Sequence, residues 1–70
     1  MQHGRVIYIS DQSGLIDDDD GYEFQFIVEE IIGGVELEVG DYVGFLIDGE
    51  MATRVKFLRA GEIDEETEEL

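Results

Sequence analysis

Seventy residues carry nineteen Asp and Glu against four Lys and Arg, a formal charge of -15, and a surface of that sign repels phosphate and anionic lipid rather than attracting them. The absence of cysteine excludes disulfide, zinc–thiolate and thiol chemistry, and no run approaches the roughly 20 apolar residues of a membrane-spanning helix. The length suits one domain with a thin core, burying roughly 60% of its unfolded surface, while the 43% hydrophobic share, rich in Ile, Val and Phe, is ordinary for a folded chain.

Residues 4–10 are β-rich and too short for a helix, so they predict a first strand. Asp11-Gln12-Ser13-Gly14 is a turn cluster. Leu15-Ile16 opens a second short strand, which stops at the acidic run Asp17, Asp18, Asp19, Asp20 before Gly21. Four adjacent carboxylates repel one another, so that run reads as a solvated turn. Residues 22–28 alternate, with Phe24, Phe26 and Val28 on one face and Glu23, Gln25 and Ile27 on the other, the period of a half-buried strand.

Residues 29–36 read as a connection in which Ile31 and Ile32 tuck into the core and Gly33-Gly34 breaks any helix. A fourth strand spans 42–48, with Val43, Phe45 and Ile47 inward. Asp48-Gly49 marks a hairpin, because both residues tolerate positive φ. The fifth strand spans 51–58. Its inward positions Ala52, Val55 and Phe57 are not spaced strictly by two, which predicts a bulge. Residues 59–70 carry six acids and one base and no sustained apolar face, which predicts a flexible acidic tail. The expectation is a small all-β, five-stranded antiparallel barrel over residues 1–58, followed by that tail. With no basic start and no secretory apolar run at residues 1–4, a soluble, cytoplasmic protein is expected.

The order of features resembles the cold-shock domain, a five-stranded OB-fold barrel that binds single-stranded RNA and DNA. Gly4-Arg5-Val6-Ile7-Tyr8-Ile9 stands where that family has Gly-Lys-Val-Lys-Trp-Phe. Gly14-Leu15-Ile16 resembles the end of its first ribonucleoprotein motif, and residues 24–31 fall where the second lies. Leu37-Glu38-Val39-Gly40-Asp41-Tyr42-Val43-Gly44-Phe45 resembles Leu-x-x-Gly-x-x-Val-x-Phe, and Ala52-Thr53-Arg54-Val55 resembles Ala-x-x-Val before a closing Leu. The match covers Gly4 to Leu58.

The positions the family uses for ligand differ. The first motif is about two residues short, Leu15 replaces its second aromatic, and Gln25, Ile27 and Val28 replace Phe, His and Phe. Ile7 replaces a surface lysine. Stacking contributes about 1–3 kcal/mol per base on an aromatic platform, so loss of several rings removes most of the inherited affinity. The resemblance therefore implies the barrel more strongly than the activity.

Two functions compete. In the first, a protein partner with a basic surface, or a second copy of the chain, docks on Ile7, Tyr8, Leu15, Gln25 and Ile27, with Asp17, Asp18, Asp19 and Asp20 as an acidic rim. Its sharpest form is a nucleic-acid mimic that occupies the groove of a nucleic-acid-binding protein. In the second, weak or salt-adapted binding of single-stranded nucleic acid uses Arg5, Tyr8, Tyr22, Arg54 and Lys56, with Arg59 adding to a local basic patch. No enzyme is expected: His3 lacks a catalytic partner in sequence, and Ser10 and Ser13 have no adjacent base. Neither cofactor nor metal is expected. Placing Gly21 sixth in an EF-hand loop puts Ile16 first and Ile27 twelfth, where carboxylates are required.

Overall fold

The computed structural model describes residues 1–58; the acidic tail and Arg59 lie outside the described residues. Five strands follow in chain order: β1 (Gln2–Ile9), β2 (Ser13–Asp18), β3 (Glu23–Ile27), β4 (Tyr42–Asp48) and β5 (Met51–Phe57). They close into a barrel in the spatial order β1-β2-β3-β5-β4. All neighbours are antiparallel except β3 and β5, which run parallel. This corrects the expectation of a wholly antiparallel barrel, and the reason is topological. Strand direction cannot alternate all the way round a ring with an odd number of members, so one pair must be parallel.

That parallel seam is thin. Within the strands it consists of one register pair, Gln25 with Met51. The connection between β3 and β4 supplements it, because Ile31 forms a parallel bridge with Val55 and the Arg54 backbone N–H donates to Glu30 Oε1 at 3.0 Å. The connection is two 3₁₀ turns, Val28–Glu30 and Ile32–Gly34. Gly33 and Gly34 both hold positive φ, as their helix-breaking reading requires. Ile31 packs against the core, whereas Ile32 is 44% exposed: the bridge to Val55 turns Ile31 inward and its neighbour out.

The core comprises Val6, Ile16, Phe26, Val43, Phe45, Ala52 and Val55, with Leu37 from the connection before β4. Complete burial of a side chain such as Phe26 contributes about 1.5–3 kcal/mol. Two bulges shape the wall. In β1, register with β2 shifts between Val6 and Tyr8. In β5, Arg54 and Val55 together oppose Phe45, and Arg54 takes φ 51°, which is the bulge that the irregular apolar spacing predicts.

Ile47 departs from its inward assignment and is 42% exposed. Pairing between β1 and β4 ends at Gln2 and Phe45, so the β4–β5 hairpin continues past the barrel and carries Ile47 with it. The hairpin loop is Gly49-Glu50, closed by the Asp48–Met51 pair. Gly49 alone has positive φ, 67°, which matches a turn with glycine first; Asp48 is the last residue of β4 rather than part of the loop.

Two glycines separate two physical costs. A Cβ on Gly14 would sit 2.5 Å from Phe26 Cζ and 2.7 Å from the Tyr8 carbonyl oxygen, so Gly14→Ala must displace the core ring or the β1 backbone. A Cβ on Gly49 would meet nothing. In urea unfolding, Gly14→Ala is expected to lose about 1–3 kcal/mol by overpacking, and Gly49→Ala about 1–2 kcal/mol from its left-handed backbone alone.

Candidate interaction face

The outer surface of β1, β2 and β3 is built by alternation. On β2, Gly14, Ile16 and Asp18 are buried, while Ser13, Leu15 and Asp17 face out. On β3, Glu23, Gln25 and Ile27 are exposed and Phe26 is buried. The β1 bulge breaks alternation usefully, since the extra residue leaves both Ile7 and Tyr8 outward.

Register then assembles two rows. Tyr8 pairs with Leu15, Leu15 with Gln25 and Gln25 with Met51, a band that crosses four strands. Beside it, Arg5 pairs with Asp17 and Asp17 with Glu23. Ile27, opposite Ser13, lies at the far end of β3. The structure thus brings together Tyr8, Leu15, Asp17 and Gln25 from the expected docking set, with Ile7 at one edge.

The four adjacent aspartates divide by role. Asp17 and Asp18 belong to β2 rather than to a turn. Asp18 is 6% exposed, and its Oδ1 accepts the backbone N–H groups of Asp20 at 2.9 Å and Tyr22 at 2.8 Å. It holds the β2–β3 turn and is not part of a docking rim, which corrects its assignment. Two backbone donors inside a tight turn need an acceptor, and a carboxylate one turn before Gly21 supplies it. Asp19 Oδ2 accepts the Tyr42 hydroxyl at 3.1 Å, while Asp20 is exposed.

The basic residues do not converge on the band: Arg5 borders it beside Asp17 but is engaged elsewhere. Arg5 Nη1 donates to the Gly40 carbonyl at 3.0 Å, and its guanidinium stands 5.2 Å from the Tyr42 ring centroid. His3 stacks on the same ring with centroids 5.9 Å apart. Lys56 shares a register row with Gly44 and His3 on the β1–β4–β5 side, and Arg54 sits at the β5 bulge. The expected nucleic-acid set is therefore split: Tyr8 and Tyr22 accompany the β2–β3 surface, Arg5 borders it with its guanidinium turned to Gly40 and Tyr42, and Arg54 and Lys56 sit on β5.

A groove of about 430 Å³ opens where β2 and β3 face the projecting hairpin. Leu15, Tyr22, Glu23, Phe24, Gln25, Gly49, Glu50 and Met51 line it. Sequence reasoning missed the second wall, Glu50 and Met51, because only the parallel seam brings that hairpin beside β3. The outward alternation of Glu23 and Gln25 was the legible half. Among the described residues, no three His, Cys, Asp or Glu side chains converge to hold a metal ion, and no helix is long and apolar enough to cross a membrane. Comparison with protein-family models finds no match, and comparison with curated proteins finds none either.

Two measurements test these assignments. Asp18→Ala leaves two turn N–H groups without their charged acceptor and is expected to lose about 1.5–3 kcal/mol in urea unfolding, with Asp20→Ala within about 0.5 kcal/mol of the parent. The Tyr42 hydroxyl is pushed above its ordinary 10.0 by desolvation, then by the Asp19 hydrogen bond and charge, against a lowering by Arg5. Above that ordinary value the unfolded chain releases the proton first, so stability falls as pH rises. Tyr42→Phe should flatten that alkaline loss in denaturation followed from pH ~9 to ~11.5.

Proposed function

We propose that this barrel is a non-enzymatic binding module of the cold-shock-like OB type, and that it holds a cationic protein partner against the outer surface of β1, β2 and β3. One observation carries the reading. The band Tyr8–Leu15–Gln25–Met51, apolar except for Gln25, is bordered by Asp17, Glu23 and Glu50, while Arg5, which pairs with Asp17, is engaged with Gly40 and Tyr42.

The placement agrees with the fold type. OB barrels take ligands on the face of strands two and three between the loops that follow strands one and four. Here those loops are the turn at residues 10–12 and the Gly49-Glu50 hairpin. An apolar centre with a charged rim is the composition of an interaction site, and carboxylates around it select positive partners and speed their encounter. A second copy of the chain brings the same sign of charge, which disfavours self-association.

Single-stranded nucleic acid is the competing ligand, and a specific feature favours it: Tyr8 is 52% exposed and Tyr22 67% exposed, so each offers a ring for stacking. Against it stands the phosphate term, which supplies nearly all non-specific affinity and has the wrong sign on this surface.

A titration of the ¹⁵N-labelled protein at low salt separates the two. An alternating Lys–Leu decapeptide is expected to shift the amides of Tyr8, Leu15 and Gln25, and Asp17→Lys with Glu23→Lys to weaken it at least about tenfold, since close charge pairs carry coupling energies of about 1.5 kcal/mol or more. Saturable binding of a ten-residue oligothymidine that Tyr8→Ala abolishes would replace this reading with the nucleic-acid one.

A further inference from the structure

We infer that the groove between β3 and the β4–β5 hairpin takes an arginine side chain of the partner, in preference to lysine. The inference rests on the cationic-partner reading of the face and specifies which cation the groove fits.

The lining favours a long cation with a flat head. Leu15 and Met51 give an apolar floor for a methylene stem, of the kind that long basic side chains cover while keeping the charge outward. Glu23 comes from the strand wall and Glu50 from the turn wall, so negative charge borders the groove on two sides. Tyr22 lies at its edge and is the most exposed aromatic among the described residues. A ring presented beside carboxylates attracts cations through its π face. Guanidinium is planar, less strongly hydrated than ammonium, stacks on such a ring and offers donors along more than one edge. Ammonium is a compact, strongly hydrated point charge that cannot lie flat on the ring, so it gains less from the π face and relies mainly on the carboxylates.

The protein offers no internal cation for the groove among the described residues. Arg5 is held against Tyr42 and Gly40, and neither Arg54 nor Lys56 is among the residues that line it. A second copy would add like charge, and a phosphate-bearing strand would face Glu23 and Glu50 directly. The occupant is therefore an arginine-bearing segment of another protein.

The test compares alternating Arg–Leu and Lys–Leu decapeptides of equal charge on the whole chain, by isothermal titration with amide shifts as the map. The Arg–Leu peptide should bind roughly threefold to fivefold tighter, the factor expected of one exposed cation–π contact. Its largest shifts should fall at Tyr22, Glu23 and Glu50. Tyr22→Leu should remove the preference while changing Lys–Leu affinity less than about twofold, since only the π contact is lost. Glu50→Gln should weaken both peptides. Unchanged thermal midpoints show that each variant is folded.

Equal affinity of the two peptides for the parent, with shifts at Tyr8 and its neighbours on β1 but none at Tyr22, Glu23 or Glu50, would overturn the arginine groove and leave the cationic-partner face standing. A preference that survives Tyr22→Leu overturns it as well. Failure of both peptides to bind would remove the cationic-partner reading and the groove with it.

Discussion

An odd number of strands cannot alternate direction around a closed ring, and that constraint governs most of what this molecule looks like. The four antiparallel contacts follow from hairpins and from the return of β4 to β1. The fifth must be parallel, and it joins β3 to β5 through a single strand register pair. The connection at residues 28–41 accommodates this. It carries the chain across to the β1 edge, bridges Val55 through Ile31, lends Glu30 to the Arg54 amide and buries Leu37. The positive φ of Arg54 belongs to the same region, where β5 must bend to meet both β4 and the connection. Without the parallel closure, the hairpin would not face β3, and the groove would not exist.

Charge in this chain is not evenly available. Among the described residues, Asp18, Asp19, Glu30 and Asp41 each accept a hydrogen bond from the protein's own N–H or O–H groups. They shape turns and joints. Asp17, Glu23 and Glu50 instead border the outer band. A formal charge of -15 therefore overstates the uniformity of the field. The relevant quantity is which carboxylates stand beside apolar surface, where nearby low-dielectric walls strengthen their pull on a partner.

Much of the wall was legible in the residues. Period-two alternation located β3 and the start of β4, the Gly33-Gly34 pair broke the connection, and the uneven spacing of Ala52, Val55 and Phe57 announced the β5 bulge. Gln25 faced out by the same alternation, whereas Tyr8 and Leu15 were placed outward by the resemblance to the cold-shock domain. The failures share a cause. Ile47 carries the inward pattern, yet its strand outruns its neighbour, and strand length relative to a partner is not written locally. Asp18 looks like one of four equivalent acids; its inward register and two backbone contacts depend on where β2 stops. Glu50 and Met51 have no pattern of their own and matter only because a distant pairing sets them against β3. The tail at residues 59–70 lies outside the described structure.

The groove has unequal sides. One is a strand paired along its length to β2, with Phe26 anchored beneath it. The other is a cantilever, continuous with the barrel at Phe45 and Ala52 but tied to β3 only at Gln25 and Met51. Fewer backbone hydrogen bonds therefore hold the hairpin wall than the strand wall, and local opening is least costly where such ties are fewest; the packed interior is built from the other end of β4 and β5 and from the strands opposite.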